Sequence, residues 1–404
     1  MTKVSFFTLG CRANQAETAV LQGVFKRKGF LLVDDKKPSD IVVINSCTVT
    51  AQGDRETRRI IARCARINPG VRVAVVGCLA QVKKEKVLAW PHVAWVVGNA
   101  RKMMLADIIR EDAAENSPRL VMAPIYRKPF VMPSTPEAGG RVRASLKIQD
   151  GCDNFCAYCE VPFARGLPRS RIFDDIIKAA RGFAALGRRE IILTGINTGL
   201  YAHDGKRLAD VILALEDIRG VERIRLSSVE FAPWLFSLAS LMKPPHKLCR
   251  FLHMPVQNGC DRILKRMGRK YTVNDVASMA RAFDENVPGM MIGTDIMAGF
   301  PGETLKDFEQ SMAFFKQEPF DSFHVFSYSD RERARSRLFK GHVPSGEIQR
   351  RADLLRILGN VKHRAFMEGM IGETVKVLFE QKKGENCNHK CDRKNLKELH
   401  RSEK

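Results

Sequence analysis

The chain has 404 residues, 45% of them hydrophobic and 28% charged, with a formal net charge of +22. That length exceeds one ordinary core, so two or three domains are expected, each able to bury a core without disulfide staples. Eleven cysteines, with Met1-Thr2-Lys3 leading straight into a strand-like run and no signal-peptide pattern, point to thiols or metal ligands in a reducing, cytoplasmic compartment. The longest apolar runs, such as Ile41–Ile44 and Val73–Val76, fall far short of the ~18 residues of a membrane span, and no membrane insertion is expected. A charge of +22 favours a polyanionic partner, nucleic acid first, because neutralised phosphates release condensed counterions. The plainer reading is a soluble basic surface or a patch for anionic lipid.

In chain order, β-branched runs at Val4–Leu9, Ile41–Asn45, Val71–Gly77 and Val93–Val97 alternate with amphipathic stretches, the pattern of a parallel α/β sheet over residues 1–112. Residues 113–142 read as a linker, because Pro118, Pro124, Pro129, Pro133, Pro136 and Gly139-Gly140 fall in a segment without periodicity. A second domain over 143–370 offers strands at Ala144–Gln149, Glu190–Thr194, Arg223–Ser227, Arg250–Met254, Met290–Met297 and Ser322–Ser327. Helices fit near Asp174–Leu186, Leu208–Ile218, Val273–Glu285 and Leu305–Gln317. This is the alternation of a barrel or open partial barrel, whose sites lie at the C-terminal strand ends. Ser345–Met370 reads as a closing helix, and Glu373–Glu380 as one more strand before a hydrophilic tail.

Cys152, Cys156 and Cys159 share one short loop after the first strand of the second domain. Three thiolates there can hold three irons of a four-iron cluster and leave the fourth open for a substrate or cofactor. Zinc would need a fourth nearby Cys or His, and the sequence has none close by. Cys11, Cys47 and Cys78 are far apart in sequence, yet each follows an apolar strand by one or two residues. In a parallel sheet those ends lie side by side, so the three thiols suggest a second cluster; three unrelated core cysteines are the alternative. Cys64 instead lines up with Ile60, Ile61 and Ile67 on the apolar face of a helix near Gln52–Ile67 and reads as packing. Arg55, Arg58, Arg59, Arg63 and Arg66 form a stripe on the opposite face, suited to phosphate contacts. Cys249 and Cys260 read as structural, and Cys387, Cys391 and His389 as too weak a pattern for zinc.

Thr8-Leu9-Gly10-Cys11, Asn45-Ser46-Cys47-Thr48-Val49-Thr50, Gly77-Cys78-Leu79-Ala80-Gln81 and the Cys152–Cys159 loop together resemble the radical S-adenosylmethionine methylthiotransferases. Further matches are Arg165-Gly166, Arg169-Ser170-Arg171, Leu193-Thr194-Gly195, Ser227-Ser228-Val229-Glu230, Leu264-Lys265-Arg266-Met267 and Thr294-Asp295 through Gly299-Phe300-Pro301-Gly302-Glu303. The resemblance runs over residues 3 to 380 and looks most like the branch acting on threonylcarbamoyladenosine in tRNA, on the strength of Arg12-Ala13-Asn14-Gln15 and of Thr48-Val49-Thr50. It implies an α/β protein in which the N-terminal sheet domain precedes a radical S-adenosylmethionine partial (β/α)6 barrel. It also implies two [4Fe-4S] clusters, S-adenosylmethionine, the anticodon loop of tRNA as partner, and an electron donor such as flavodoxin or ferredoxin. The open iron would chelate the methionyl group and yield a 5′-deoxyadenosyl radical, while the second cluster carries the sulfur.

For cofactor contacts the expectation is Tyr158, Gly195, Asn197, Ser228, Glu230, Gln257 and Asp295, all at or near strand C-terminal ends. Several of these residues could equally be satisfying loop backbone. Departures from the family pattern are Ser46, Asn258, Cys260 and the charged run Asp330–Arg335. The resemblance fades after Glu380, so residues 371–404 are expected to be a remnant of a C-terminal RNA-binding β-barrel that is truncated or missing. Competing functions are methylthiolation of a ribosomal-protein aspartate or of another tRNA adenosine and, in a different class, an iron–sulfur nucleic-acid-binding or redox-sensing protein.

Overall fold

The computed structural model describes residues 1–112, 117–133 and 142–379. They form two compact units: the N-terminal sheet with Ala144–Val221 and Ser329–Leu338 in one, and Glu222–Tyr328 with the chain from Phe339 in the other.

In the first unit, β1 (Lys3–Thr8), β2 (Leu31–Leu32), β3 (Ile41–Ser46), β4 (Arg72–Gly77), β5 (Val93–Val97) and β6 (Arg119–Val121) make one sheet in the order β2-β1-β3-β4-β5-β6. Every pairing is parallel. The strands are apolar along their whole length because both faces are covered. Val43, Ala74, Val76, Trp95 and Val97 pack with Leu21 and Phe25 on one side. Val42, Ile44, Val73, Val75 and Val96 pack with Ile60, Ile61 and Cys64 on the other. Cys64 is thus a core side chain, as its helical position predicts. The helix Ala51–Ile67 starts at Thr50, whose hydroxyl accepts from the Gly53 amide, and its five arginines are all exposed. Two of them lie over aromatic rings, Arg58 over Trp90 and Arg63 over Phe7.

The rest of the first unit holds β7 (Arg143–Lys147), the short antiparallel pair β8 (Gln149–Asp150) and β9 (Arg169–Ser170), and β10 (Glu190–Thr194). The second holds β11 (Arg223–Leu226), β12 (Phe251–His253), β13 (Met291–Ala298) and β14 (Ser322–Ser327), the last three paired in parallel. Helices Phe173–Ala185, Leu208–Glu216, Val273–Asn286 and Leu305–Gln317 fall between these strands, giving the strand–helix alternation read from the sequence. Thr272 with Asp275 and Thr304 with Asp307 form capping boxes, which set two of the helix starts.

Two expectations change. Within the stretch read as a linker, Arg119–Val121 pairs with Trp95–Val97 as the edge strand of the N-terminal sheet; three residues are too few to show a period. Glu373–Glu380 does not form a strand, since residues 373–379 have no regular structure. An isolated apolar run has no ladder to satisfy its backbone, and the Lys376 carbonyl instead accepts from Arg223. Glu380 and the tail with Cys387, His389 and Cys391 lie outside the described residues.

Phe25 is fully buried between Phe6 and Phe30. Phe25→Ala should lower the stability of the N-terminal sheet by about 3–5 kcal/mol, read as an earlier urea transition of this unit.

Candidate functional site

The register of β1, β3 and β4 decides where three of the cysteines go. Thr8 is opposite Asn45, and Ser46 is opposite Gly77, so Cys11, Cys47 and Cys78 follow three adjacent strand ends. Two glycines bring the chains together. Gly10 has φ +89°, and a Cβ there would lie 2.7 Å from the Cys47 Sγ. Gly77 has φ +92°, and its Cβ would meet the Asn45 Oδ1 at 2.5 Å and the Ser46 carbonyl at 2.6 Å. No other residue type fits either position. Burial and the adjacent Cys78 and Cys11 sulfurs push the Cys47 thiol up to about 12. Burial also raises Cys78, against the pull of Arg165. Three sulfurs that repel one another as thiolates are a donor set a cationic iron centre would satisfy.

Cys152, Cys156 and Cys159 line one loop in the same unit, all half-buried. The Cys152 amide donates to the Gly166 carbonyl (3.1 Å) and that of Cys159 to Cys156 (3.0 Å). Phe155 between them sits at φ +46°, a strained conformation of the kind held at functional sites.

Two polar links join the segments that carry the trios. Thr48, next to Cys47, donates to Glu160, next to Cys159, at 2.8 Å. Arg331 bridges Glu160 (3.3 Å), the Thr48 hydroxyl (3.1 Å) and Asp54 (3.1 Å). The second link is Arg165, at the end of the helix Val161–Arg165, which donates to the Cys78 sulfur at 3.2 Å. Neither Arg331 nor Arg165 was assigned a role from sequence. Arg165-Gly166 belongs to the motifs that carry the family resemblance and Arg331 to the charged run Asp330–Arg335, but a charge gives no sign in sequence of being buried.

The expected cofactor contacts are distributed over both units. In the first, Tyr158 sits inside the cysteine loop, and Gly195 and Asn197 follow β10. The Gln149 Oε1 accepts from the Ile196 amide (3.1 Å) and the Asn197 amide (2.8 Å). A Cβ on Gly195 would be 3.0 Å from Gln149. The Asn197 Oδ1 and the Thr194 Oγ1 are buried without a hydrogen-bond partner; such orphaned acceptors at a strand end fit a bound polar ligand. In the second unit, Ser228 and Glu230 follow β11, with the Ser227 hydroxyl also unpartnered. Glu230 is ion-paired to Arg269, and burial raises its pKa. Gln257, at φ +74°, donates its amide to the Asp295 carbonyl at 2.8 Å. The Asp295 Oδ1 meets both His253 Nε2 (2.9 Å) and His324 Nδ1 (3.4 Å). Burial would raise Asp295, but the two imidazoles outweigh it and hold the carboxyl near 2. The sequence reading gave neither histidine a role.

The unusual positions are accommodated. The Asn258 amide donates to Glu303 at 2.8 Å, and the Ser46 hydroxyl to the Val76 carbonyl at 2.5 Å.

Residues 146–315 match the radical SAM superfamily, and residues 3–98 match the uncharacterized protein family UPF0004. The fold and the cysteine loop therefore define a radical S-adenosylmethionine enzyme, which uses a [4Fe-4S] cluster and S-adenosylmethionine. The chain is 35% identical over 94% of its length to the threonylcarbamoyladenosine tRNA methylthiotransferase of Bacillus subtilis, covering 85% of that protein. It is 35% identical over 93% of its length to the enzyme of the same name from Aquifex aeolicus, covering 92%. A ribosomal protein uS12 methylthiotransferase from Desulforudis audaxviator is 33% identical over 95% of the chain and 86% of its own length. The chain belongs to the radical S-adenosylmethionine methylthiotransferase family. Among solved structures, the radical S-adenosylmethionine methyltransferase TsrM from Kitasatospora setae is similar in fold, with a TM-score of 0.57 at 17% identity over 80% of this chain and 73% of that one. Among the described residues no helix is long and apolar enough to cross a membrane.

Arg331 is 3% exposed and Glu160 1%. Arg331→Ala should destabilise the first unit by about 3–5 kcal/mol, because buried Glu160 loses its cation while remaining in place, whereas Asp54 keeps Lys83 at 2.9 Å. Arg59→Ala on the exposed helix face should change the urea midpoint little.

Proposed function

We propose that the protein is a tRNA methylthiotransferase that places a methylthio group on C2 of N6-threonylcarbamoyladenosine in the anticodon loop. The observation that carries this reading is the pairing of two cysteine trios in one compact unit, tied by Thr48–Glu160 and by Cys78–Arg165. A radical enzyme that only cleaves S-adenosylmethionine needs one trio; a reaction that also inserts sulfur has work for the second. The substrate branch is supported by the Bacillus and Aquifex relatives and by the residues around Cys11 and Cys47.

In this reading Cys152, Cys156 and Cys159 hold the cluster that binds S-adenosylmethionine, and Cys11, Cys47 and Cys78 hold a second [4Fe-4S] cluster. When bound, these groups supply a carbon radical able to take the C2 hydrogen, which is too weakly acidic for proton transfer, and the sulfur that replaces it. The protein positions and shields. Tyr158, Gly195, Asn197, Ser228, Glu230, Gln257 and Asp295 are proposed to orient the cofactor, with the unpartnered Asn197 oxygen and the ionised Asp295 carboxylate as polar acceptors. The arginine face of helix Ala51–Ile67 provides phosphate contacts whose strength falls with salt. A reduced flavodoxin or ferredoxin would deliver the electron in the cytoplasm.

The anaerobically reconstituted protein, given S-adenosylmethionine, reductant and tRNA carrying threonylcarbamoyladenosine, should add a methylthio mass to that nucleoside. It should leave isopentenyladenosine tRNA and ribosomal protein uS12 unchanged; modification of either in preference overturns the substrate. Cys11→Ala/Cys47→Ala/Cys78→Ala should retain about half the iron and still form 5′-deoxyadenosine, with no thiolated nucleoside. Thiolated product from that variant would remove the second trio from the mechanism.

A further inference from the structure

Arg165 is completely buried, and all five of its N–H donors are used. Nε donates to the Cys78 Sγ at 3.2 Å. One terminal nitrogen meets Glu17 (2.9 Å) and Asp150 (2.8 Å). The other meets Asn14 (2.5 Å) and Glu17 (3.1 Å). A guanidinium so held cannot turn. Its neighbours are also charged: Lys102 lies 2.5 Å from Glu17, Lys147 2.5 Å from Glu17 and 2.8 Å from Asp150, and Arg169 2.8 Å from Asp150. Among the described residues of this network, Arg165, Lys102, Lys147 and Arg169 face only two carboxylates, Glu17 and Asp150.

Buried cations in excess of buried anions are costly unless another anion completes the set. Besides the neutral amides of Asn14, which Arg165 meets, and Asn99, which Lys102 meets, Arg165 also meets the Cys78 sulfur, which as a thiolate would carry negative charge. A four-iron cluster on three thiolates is an anion in both oxidation states, and N–H donors to its sulfurs raise its reduction potential. The same short segment reaches the other trio, because the Gly166 carbonyl accepts from the Cys152 amide. Adding a Cβ to Gly151 would bring it to 2.6 Å from that same carbonyl oxygen, so the segment is packed closely on the loop.

We propose that Arg165 is a positioning residue that donates its Nε–H to the cluster sulfur at Cys78, so that the buried cationic network holds the charge and sets the reduction potential of the second cluster. This rests on the reading that Cys11, Cys47 and Cys78 bind a cluster. Arg165-Gly166 then fixes both sites at once, one through a side chain and the other through the backbone.

The test uses the full chain carrying Cys152→Ala, Cys156→Ala and Cys159→Ala, which leaves only the second cluster, labelled with 15N-arginine. Pulsed EPR of the reduced cluster should show a 15N coupling that persists in Arg12→Lys and disappears in Arg165→Lys. An EPR-monitored redox titration should place the Arg165→Lys cluster at a lower potential than its parent, since a lysine restores the charge but not the fixed donor. A cluster without arginine coupling, or one whose potential is unchanged in Arg165→Lys, overturns the inference alone. If the labelled protein binds no cluster, the assignment of the second trio fails and the inference with it. Should Arg165→Lys not fold, the coupling in the parent and in Arg12→Lys still decides.

Discussion

Taking the Arg165 guanidinium out of water costs several kcal/mol unless every donor is met and opposite charge stands close. Here Glu17 comes from the first helix of the sheet domain, Asp150 from the strand before the cysteine loop, and Cys78 from the end of β4. Among the described residues Arg165 is the hydrogen-bond partner that all three share, so the three segments are held together through one guanidinium. Burial would weaken the charge on Arg165, but its anionic neighbours more than offset that and keep it fully protonated. Glu17 is likewise held ionised by Arg165, Lys102 and Lys147 against its burial. The cysteine loop thereby inherits the rigidity of the parallel sheet. A loop proposed to hold a cluster would benefit from such a support.

The second constraint is backbone geometry. Thiols on three neighbouring strand ends can approach a common centre only where nothing intervenes, and Gly10 and Gly77 leave that space at positive φ. Burial, and after it the neighbouring Cys78 and Cys11 sulfurs, raise Cys47 and disfavour its thiolate. A metal centre proposed there would have to displace the thiol protons as it bound.

Glu230 and Asp295 are each paired before any ligand arrives, one with Arg269 and the other with two imidazoles. The two carboxyls respond in opposite directions. Asp295 stays ionised because two ring nitrogens share its Oδ1, whereas burial dominates at Glu230. Two carboxyls of the same chemical type, Glu230 beyond the end of β11 and Asp295 within β13, are thus shifted in opposite directions by their surroundings.

Strand runs such as Val93–Val97, Glu190–Thr194 and Ser322–Ser327 and the helix Leu305–Gln317 were legible in the sequence with their observed bounds, because their apolar period or β-branched composition is local. The cysteine trios were legible for a related reason: each thiol sits at a fixed short distance from a recognisable strand or within one loop. Short pieces were not, since Arg119–Val121 becomes a strand only by pairing with β5, and residues 373–379 have no strand pairing among the described residues. Least visible were the charges that join the site. Glu17, Lys102, Lys147, Arg165 and Arg331 read in sequence like any solvated side chain, and only the packing of distant segments takes them out of water. The sequence alone determined where the two cysteine trios fall relative to the strands and the alternation of elements, because these depend on spacing along the chain. The tertiary structure decided which buried charge meets which partner, because that depends on contacts between residues far apart in the chain, 87 positions for Arg165 and Cys78 and 277 for Arg331 and Asp54.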